Sequence, residues 1–379
     1  MKLSPSLRGI AATSLLAGVT AVATGAVAGA DYGHQDVHAL FLLSDNSGSN
    51  SVLSYARGTD GTVSYVATYP TGGLGAVAAG AVADPLASQG GLALVNNGAD
   101  LIAVNPGSNT VSVFAVEGAY LRLVQQIASG GTFPNSVASH GNLVAVLNAG
   151  GAGTVAEFGF WDGRLHTLWR QVRSLGLANT TPPNFLHAPG QIGYTPDGQH
   201  LIVTTKASSN AYEVFSVGEW GQLGASPVVT AATNAVPFAF NFDAQGRLVG
   251  AEASTSSLST YVVNPDGSLT PVGTVSDGSK ALCWISSSNG YVFGSNAGSG
   301  TVSSFSETST GAPTLVNATA ATAHPGTTDS AVSPDGQTLY VESGGSGTLD
   351  VYSIGANGSL TQLESLFNVP LAAEGIAAS

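Results

Sequence analysis

Residues 103–114 read AVNPGSNTVSVF, and the same phrase returns as VLNAGGAGTVAEF at 146–158 and as GSNAGSGTVSSF at 294–305. Each copy is an apolar run ending on Asn, a Gly/Ser tip, and a run that alternates Val or Phe with other residues. Gly and Asn supply the positive φ that a tight loop needs, and a period of two half-buries a strand, so the phrase is a β-hairpin. Four further tips have the same form: LLSDNSGSNSVLSY from 42, VTTKASSNAYEVF from 203, GAEASTSSLSTYV from 250 and YVESGGSGTLDVY from 340. Seven hairpins at a mean separation of roughly 50 residues match the length of a four-stranded propeller blade.

The neighbours of each hairpin repeat too. Upstream lies a strand and a turn, as in QIGYTPDGQHLIV (191–203) and SAVSPDGQTLYV (330–341); downstream lies a second turn and strand, as in NPDGSLTPVGTV (264–275). Asp-Gly and Asn-Gly close two-residue hairpins. The order is therefore strand A, turn, strand B, Gly/Ser tip, strand C, turn, strand D. AAEGIAAS (372–379) is an A strand with nothing after it, and HALFLLSDN (38–46) is a B strand lacking its own A. Pairing 374–378 with 39–45 closes the ring and removes the exposed edges that an open sheet must protect. The predicted fold is all-β: a seven-bladed β-propeller of four-stranded antiparallel blades, one domain over 31–379. Two β-sandwich domains would also explain the strand density, but not seven like units.

Composition agrees with strands rather than helices. Of 379 residues, 50 are Gly and 9% are charged, while 43% are hydrophobic, too apolar for a disordered chain. Residues 1–30 carry Lys2 and Arg8, an apolar stretch from about Ile10, and small-x-small sites at Ala26-Val27-Ala28 and Ala28-Gly29-Ala30. This pattern predicts a secretory signal peptide and an extracellular mature chain; a retained N-terminal anchor is the alternative. Cys283 is the only cysteine, so an intrachain disulfide and a multi-thiolate metal site are both excluded. A net charge of −13 disfavours nucleic acid and anionic membrane as partners. No zincin, nucleophile-elbow or phosphate-loop motif occurs, and no cofactor or metal is expected. PTGGLGAVAAGAVADPLASQGG (70–91) is a long Gly/Ala connection between the first two blades, placed to cover one face.

The turn motifs SPDG and TPDG before strand B, VNPGSNTVSVF across B and C, GGTFPNSVAS between blades and DGSLTPV before D resemble the lactonase-type seven-bladed propellers, the family of propeller-type 6-phosphogluconolactonase and carboxymuconate cyclase. The resemblance covers about 36–379. It implies a site at the mouth of the central channel, with a His opening one A strand and Arg and acidic groups at nearby strand ends. Here HAPGQIGYTPDG (187–198) keeps Gln191 but has Gly190 where that His would fall, and Lys206–Ala211 lacks the Asp and Arg.

Strand B ends ring the channel mouth, which singles out Asp45, Asn105, Asn148, Lys206, Glu252, Asn296 and Glu342 or Ser343; the D–A connections add Phe133, His187 and His324, and strand A of the sixth blade adds Trp284. A lactonase needs a base and a cation for the developing oxyanion. His187 or Glu252 is the candidate base and Lys206 the candidate cation, with Asn105, Asn148, Gln191, Trp284, Asn296 and His324 as candidate substrate contacts. The bland readings stand beside these. Asn before Gly commonly bonds its own turn, Lys206 and Glu252 can simply pair, and His187 can be an idle surface residue. Three readings remain: an exported, monomeric lactonase-like enzyme acting on a small, weakly charged lactone or its hydroxy acid; a non-catalytic extracellular propeller that binds a glycan, polymer or protein; and a degenerate family member with an extracellular structural role.

Overall fold

A computed structural model describes residues 38–232, 235–306 and 309–379. The predicted leader, 1–30, and residues 31–37 lie outside them. Seven four-stranded antiparallel sheets follow one another along the chain. Their innermost A strands are β28 (Ile376–Ala378), β4 (Leu92–Val95), β8 (Pro134–His140), β12 (Gln191–Tyr194), β16 (Pro237–Phe242), β20 (Leu282–Ser288) and β24 (Ser330–Val332), for blades one to seven. Each of these touches the next, and β24 touches β28, so the ring is closed.

The closing blade is assembled as the two chain ends require. Strand β1 (Ala39–Leu43) pairs antiparallel with β28, Leu40 opposite Ala378, Phe41 opposite Ala377 and Leu42 opposite Ile376. The Leu43 amide extends the ladder to Gly375 O at 2.8 Å. Arg57 then ties the seam from outside, donating to Tyr340 Oη of blade seven at 2.8 Å and to Ser379 O.

Burial falls from the axis outward. The B strands are buried at nearly every position, because blades pack face to face and both faces of each sheet meet a neighbour. Phe41, Leu43, Val104, Val113 and Phe114, for example, share one cluster between blades one and two. The D strands lie at the rim and are mostly exposed or half-buried, as Val63–Pro70 and Leu269–Ser276 are. Full burial of a Leu or Phe stabilises by about 1.5–3 kcal/mol, so the ring rests on these interblade faces rather than on disulfides.

Near the axis the A strands are bridged by side chains. Gln191 of β12 donates through Nε2 to Phe240 O of β16 at 3.0 Å and accepts from Phe240 N at 2.7 Å. The amide of Gln89 clasps Ile285 of β20 in the same two-way manner, at 2.9 and 3.1 Å. A planar amide copies the peptide it faces, so each pair substitutes for two ladder bonds.

Candidate functional site at the channel mouth

The B–C tips and D–A connections share one face, as expected. The mouth of the channel there is filled by the chain itself. From the long connection between blades one and two, residues 84–90 enter the mouth, and most backbone groups of Leu86 to Gly90 find a partner on the ring. The Glu374 carboxyl accepts the amides of Leu86, Ala87 and Ser88, at 2.6, 3.2 and 3.0 Å. Gln89 N donates to Gly190 O at 2.9 Å, and Gly90 O accepts from Val137 N at 2.8 Å. Ser88 O accepts from the Trp284 indole at 2.8 Å, while Ser88 Oγ donates to Asn135 O at 2.7 Å. Blades one, three, four and six therefore hold one short segment.

Lys206 belongs to this arrangement. It begins a single 3-10 turn, Lys206–Ser208, with φ at 46° in the left-handed region, and its side chain is 2% exposed. Its ammonium donates to Ala87 O of the plug and to Phe185 O at 2.6 Å, and lies 4.8 Å from the centre of the Phe238 ring. Burial pushes its pKa down to about 8, against the opposing pull of Asp84 and Glu374. Asp84 is raised by burial, with Lys206 acting the other way. The candidate cation is thus a strut for two carbonyls and a partner for buried carboxyls.

The other two members of the candidate triad sit elsewhere. Glu252 ends β17 (Leu248–Glu252), is buried, and accepts from Tyr261 Oη at 3.0 Å; burial raises its pKa. Among the described residues no hydrogen bond or ion pair joins it to Lys206, so the expected pairing of the two does not form. His187 is exposed in the blade three to four connection, where its amide bonds Asn184 O. The three side chains have separate surroundings.

The candidate substrate contacts are mostly structural too. Asn105 Nδ2 donates to Thr110 Oγ1 and Ser112 Oγ at 3.2 and 2.8 Å, and Asn296 Nδ2 donates to Thr301 Oγ1 and Ser303 Oγ at the same two distances. The repeated phrase is explained by this geometry: Asn ends strand B, and Thr and Ser five and seven residues later receive its amide. Asn148, whose loop is one residue longer, bonds Ser129 O at 3.1 Å instead. Trp284 is 1% exposed, edge-on to Phe238. His324 is half-buried, with Nδ1 2.9 Å from Asp350 and its ring edge-on to Phe367. Gly190 has no room for the His that the resemblance implies, because a Cβ there would lie 2.7 Å from Phe238 O and 2.9 Å from Thr204 Oγ1.

Beside the plug lies a group of buried carboxyls. Asp45 Oδ2 accepts from Glu374 N at 3.1 Å and Glu342 Oε2 from Gly375 N at 3.2 Å, while Asp329 Oδ1 accepts from Ser330 N at 2.8 Å. Burial raises all four carboxyls, Asp329 to about 7, and mutual repulsion adds to it for Asp45, Glu342 and Glu374. Among the described residues, Asp45 Oδ1 and Glu342 Oε1 have no hydrogen-bond partner. Asp45 and Glu342 stand among the ring of strand ends read from the repeat; Glu374, Asp329 and Asp84 do not. The available signal for Glu374 was an acidic residue opening an otherwise apolar A strand.

Comparison with known proteins agrees with this architecture. The family model "Lactonase, 7-bladed beta-propeller" matches residues 249–372. Among curated proteins, none matches the sequence. Similar solved structures include a provisionally named 6-phosphogluconolactonase of Bacteroides uniformis, at 17% identity and a TM-score of 0.71, covering 91% of this chain and 100% of that one. A protein from Lactobacillus plantarum has 18% identity and a TM-score of 0.71 over 90% and 99%. The periplasmic gluconolactonase of Pseudomonas aeruginosa has 16% identity and a TM-score of 0.70 over 90% and 99%. At these identities the structures show a shared fold. In fold around the ring the chain is a seven-bladed β-propeller, and over residues 249–372 its sequence is similar to the lactonase family of such propellers.

Proposed function

We propose that this lactonase-like propeller is an exported binding protein that carries out no chemistry at the channel mouth. The observation that supports this reading is the plug: residues 84–90 occupy the mouth, and Lys206 is consumed in holding them. The outer part of the same connection leaves Val77 exposed and Val82 95% exposed, with Leu186 and Leu371 exposed on neighbouring connections of that face. Apolar side chains presented together on one face are the usual mark of a surface that meets a ligand or partner. An extracellular glycan, polymer or protein fits that surface better than a small anion does.

A second reading, hydrolysis of a small, weakly charged lactone, is favoured by the family match over 249–372 and by the gluconolactonase among the similar structures. Acid release from a panel of uncharged and singly charged lactones separates the two. The binding reading expects no turnover above buffer from the purified mature chain, and retention on a glycan or protein array that Val82→Glu weakens. Turnover that disappears in Lys206→Ala and in His187→Ala would overturn it in favour of the second.

A further inference from the structure

The opposite end of the central channel is open. Strands run from the plugged mouth towards it, and the last residues of the A strands of blades five to seven surround a wide cup of about 430 Å³. Gln89 projects from the plug into its lining, and Asn241, Phe242, Ile285, Ser287 and Val332 contribute the rest of the wall used here. A space of this volume lies within the range of small-molecule sites.

We propose that this cup is a binding site for an uncharged polyhydroxylated ring, a sugar or cyclic polyol. The wall carries no charged side chain, so a carboxylate or phosphate entering it would lose hydration without a cation to replace it. The polar groups it does carry are held in place. Gln89 is fixed by its two-way clasp on Ile285 and by Ser136 Oγ, which donates to its carbonyl at 2.6 Å. Asn241 Nδ2 donates to Ile285 O at 3.1 Å and to Ser287 Oγ at 3.5 Å, which leaves the Asn241 carbonyl as an acceptor and the Ser287 hydroxyl proton as a donor. Phe242 and Val332 supply the apolar surface against which the C–H face of such a ring packs. The site goes beyond the capped-face reading above and does not depend on it, since the two lie at opposite ends of the channel.

The test is titration of the purified chain with methyl glucoside and with myo-inositol, by calorimetry and saturation-transfer NMR, beside gluconate and glucose 6-phosphate as charged counterparts. The expected result is millimolar or tighter binding of at least one neutral probe, and at least tenfold weaker binding of both anions. Ser287→Phe, which fills the cup, abolishes it; Asn241→Leu weakens it at least tenfold; His187→Ala, on the far face, leaves it unchanged. Circular dichroism checks that the variants fold, with Ser287→Val as the smaller replacement if Ser287→Phe does not. No binding of either neutral probe, equal binding of the anions, or binding indifferent to both cup variants would overturn the proposal. None of these outcomes bears on lactone turnover or on array binding through Val82.

Discussion

The two ends of the central channel are made by the same seven A strands, yet one is closed by buried charge and the other is open and neutral. At the plugged end, Glu374, Asp329, Asp84 and Lys206 bond backbone amides and carbonyls or one another's charge. At the open end, the equivalent work falls to Gln and Asn amides and Ser hydroxyls. The difference follows from what each end must satisfy. A segment crossing the axis brings peptide groups that water no longer reaches, and an unpaired buried peptide group costs about 1–3 kcal/mol. Ionisable side chains meet that demand here, although their own burial then shifts their proton affinity.

Removing the central carboxyl breaks the comparison most sharply. Glu374→Ala strips the Leu86 and Ser88 amides of their acceptor and leaves Ala87 N with Asp84 O alone, and an expected loss of about 3–5 kcal/mol follows in urea or thermal unfolding. Glu374→Gln keeps one acceptor oxygen and loses less. The variant also has a local readout. Cys283 is buried beside Trp284, and burial raises its thiol pKa, so the native chain is expected to resist thiol reagents at neutral pH. Loosening of the plug is expected to speed Cys283 modification at least tenfold in Glu374→Ala, measured by the rate of reaction with an aromatic disulfide. Unchanged stability and an unreactive Cys283 would mean that the plug is held by something else.

That variant also marks the line between what the sequence discloses and what it does not. The blades are legible because their signals are local. An Asn, a Gly/Ser tip and a Thr-x-Ser five residues on form a hairpin within ten residues, and PDG turns fix the next register. Ring closure is legible because both chain ends lack a strand. The plug has no periodicity to read, and its partners are remote: Glu374 is 288 residues from Leu86, and Trp284 is 196 from Ser88. Lys206 and Glu252, at equivalent strand ends in consecutive blades, suggested one constellation. A left-handed turn at Lys206 and the Tyr261 hydroxyl at Glu252 lead them apart.

The next largest effect distinguishes the two ends by pH. The buried carboxyls at the plugged end have native pKa values above their unfolded values, so the native state holds more protons than the unfolded chain. Their contribution is fully present below about pH 4 and is lost as pH rises through about 7 for Asp329 and through the raised values of the others. Lys206 acts with the opposite sign only above about 8, where the native amine has lost its proton and the unfolded one has not. Asp197 and Asp335, lowered by bonds within their turns, reverse the trend at strongly acid pH. Stability is therefore expected to be greatest near pH 4–5 and to decline towards pH 8, followed by urea midpoints. Asp329→Asn flattens the slope between 4 and 7 by a share on the order of 3 kcal/mol. Variants of Asn241 or Ser287, at the neutral end, leave the slope as it is.

A smaller contrast lies among the repeated Asn residues that face the plugged end. Asn105 and Asn296 make the same pair of bonds to strand C, but Asn105 Oδ1 also accepts from Asn50 Nδ2 at 3.1 Å, while Asn296 Oδ1 has no hydrogen-bond partner among the described residues. Replacing Asn105 by Ala breaks one bond more and leaves the buried Asn50 amide with only Val104 O. Thermal melts are expected to show a loss of about 2 kcal/mol for Asn105→Ala and about 1 kcal/mol for Asn296→Ala. Equal losses would show that the Asn50 bond contributes nothing net.

The smallest effect expected is that of His187→Ala, which should leave stability within about 0.5 kcal/mol, because its side chain is exposed and makes no bond among those described. Its value lies in what accompanies it. If the mouth retained chemistry, His187 is the one candidate base still accessible on that face, since Glu252 is buried against Tyr261 and Gly190 leaves no room for a side chain. Plug loosening through Glu374→Ala then ought to create or raise lactone turnover, and His187→Ala in that background ought to remove it. If loosening the plug exposes Cys283 and still yields no turnover, access was never what the mouth lacked. The missing element is then a base paired with a cation, because Glu252 is bonded to the Tyr261 hydroxyl and Lys206 is turned inward onto two backbone carbonyls.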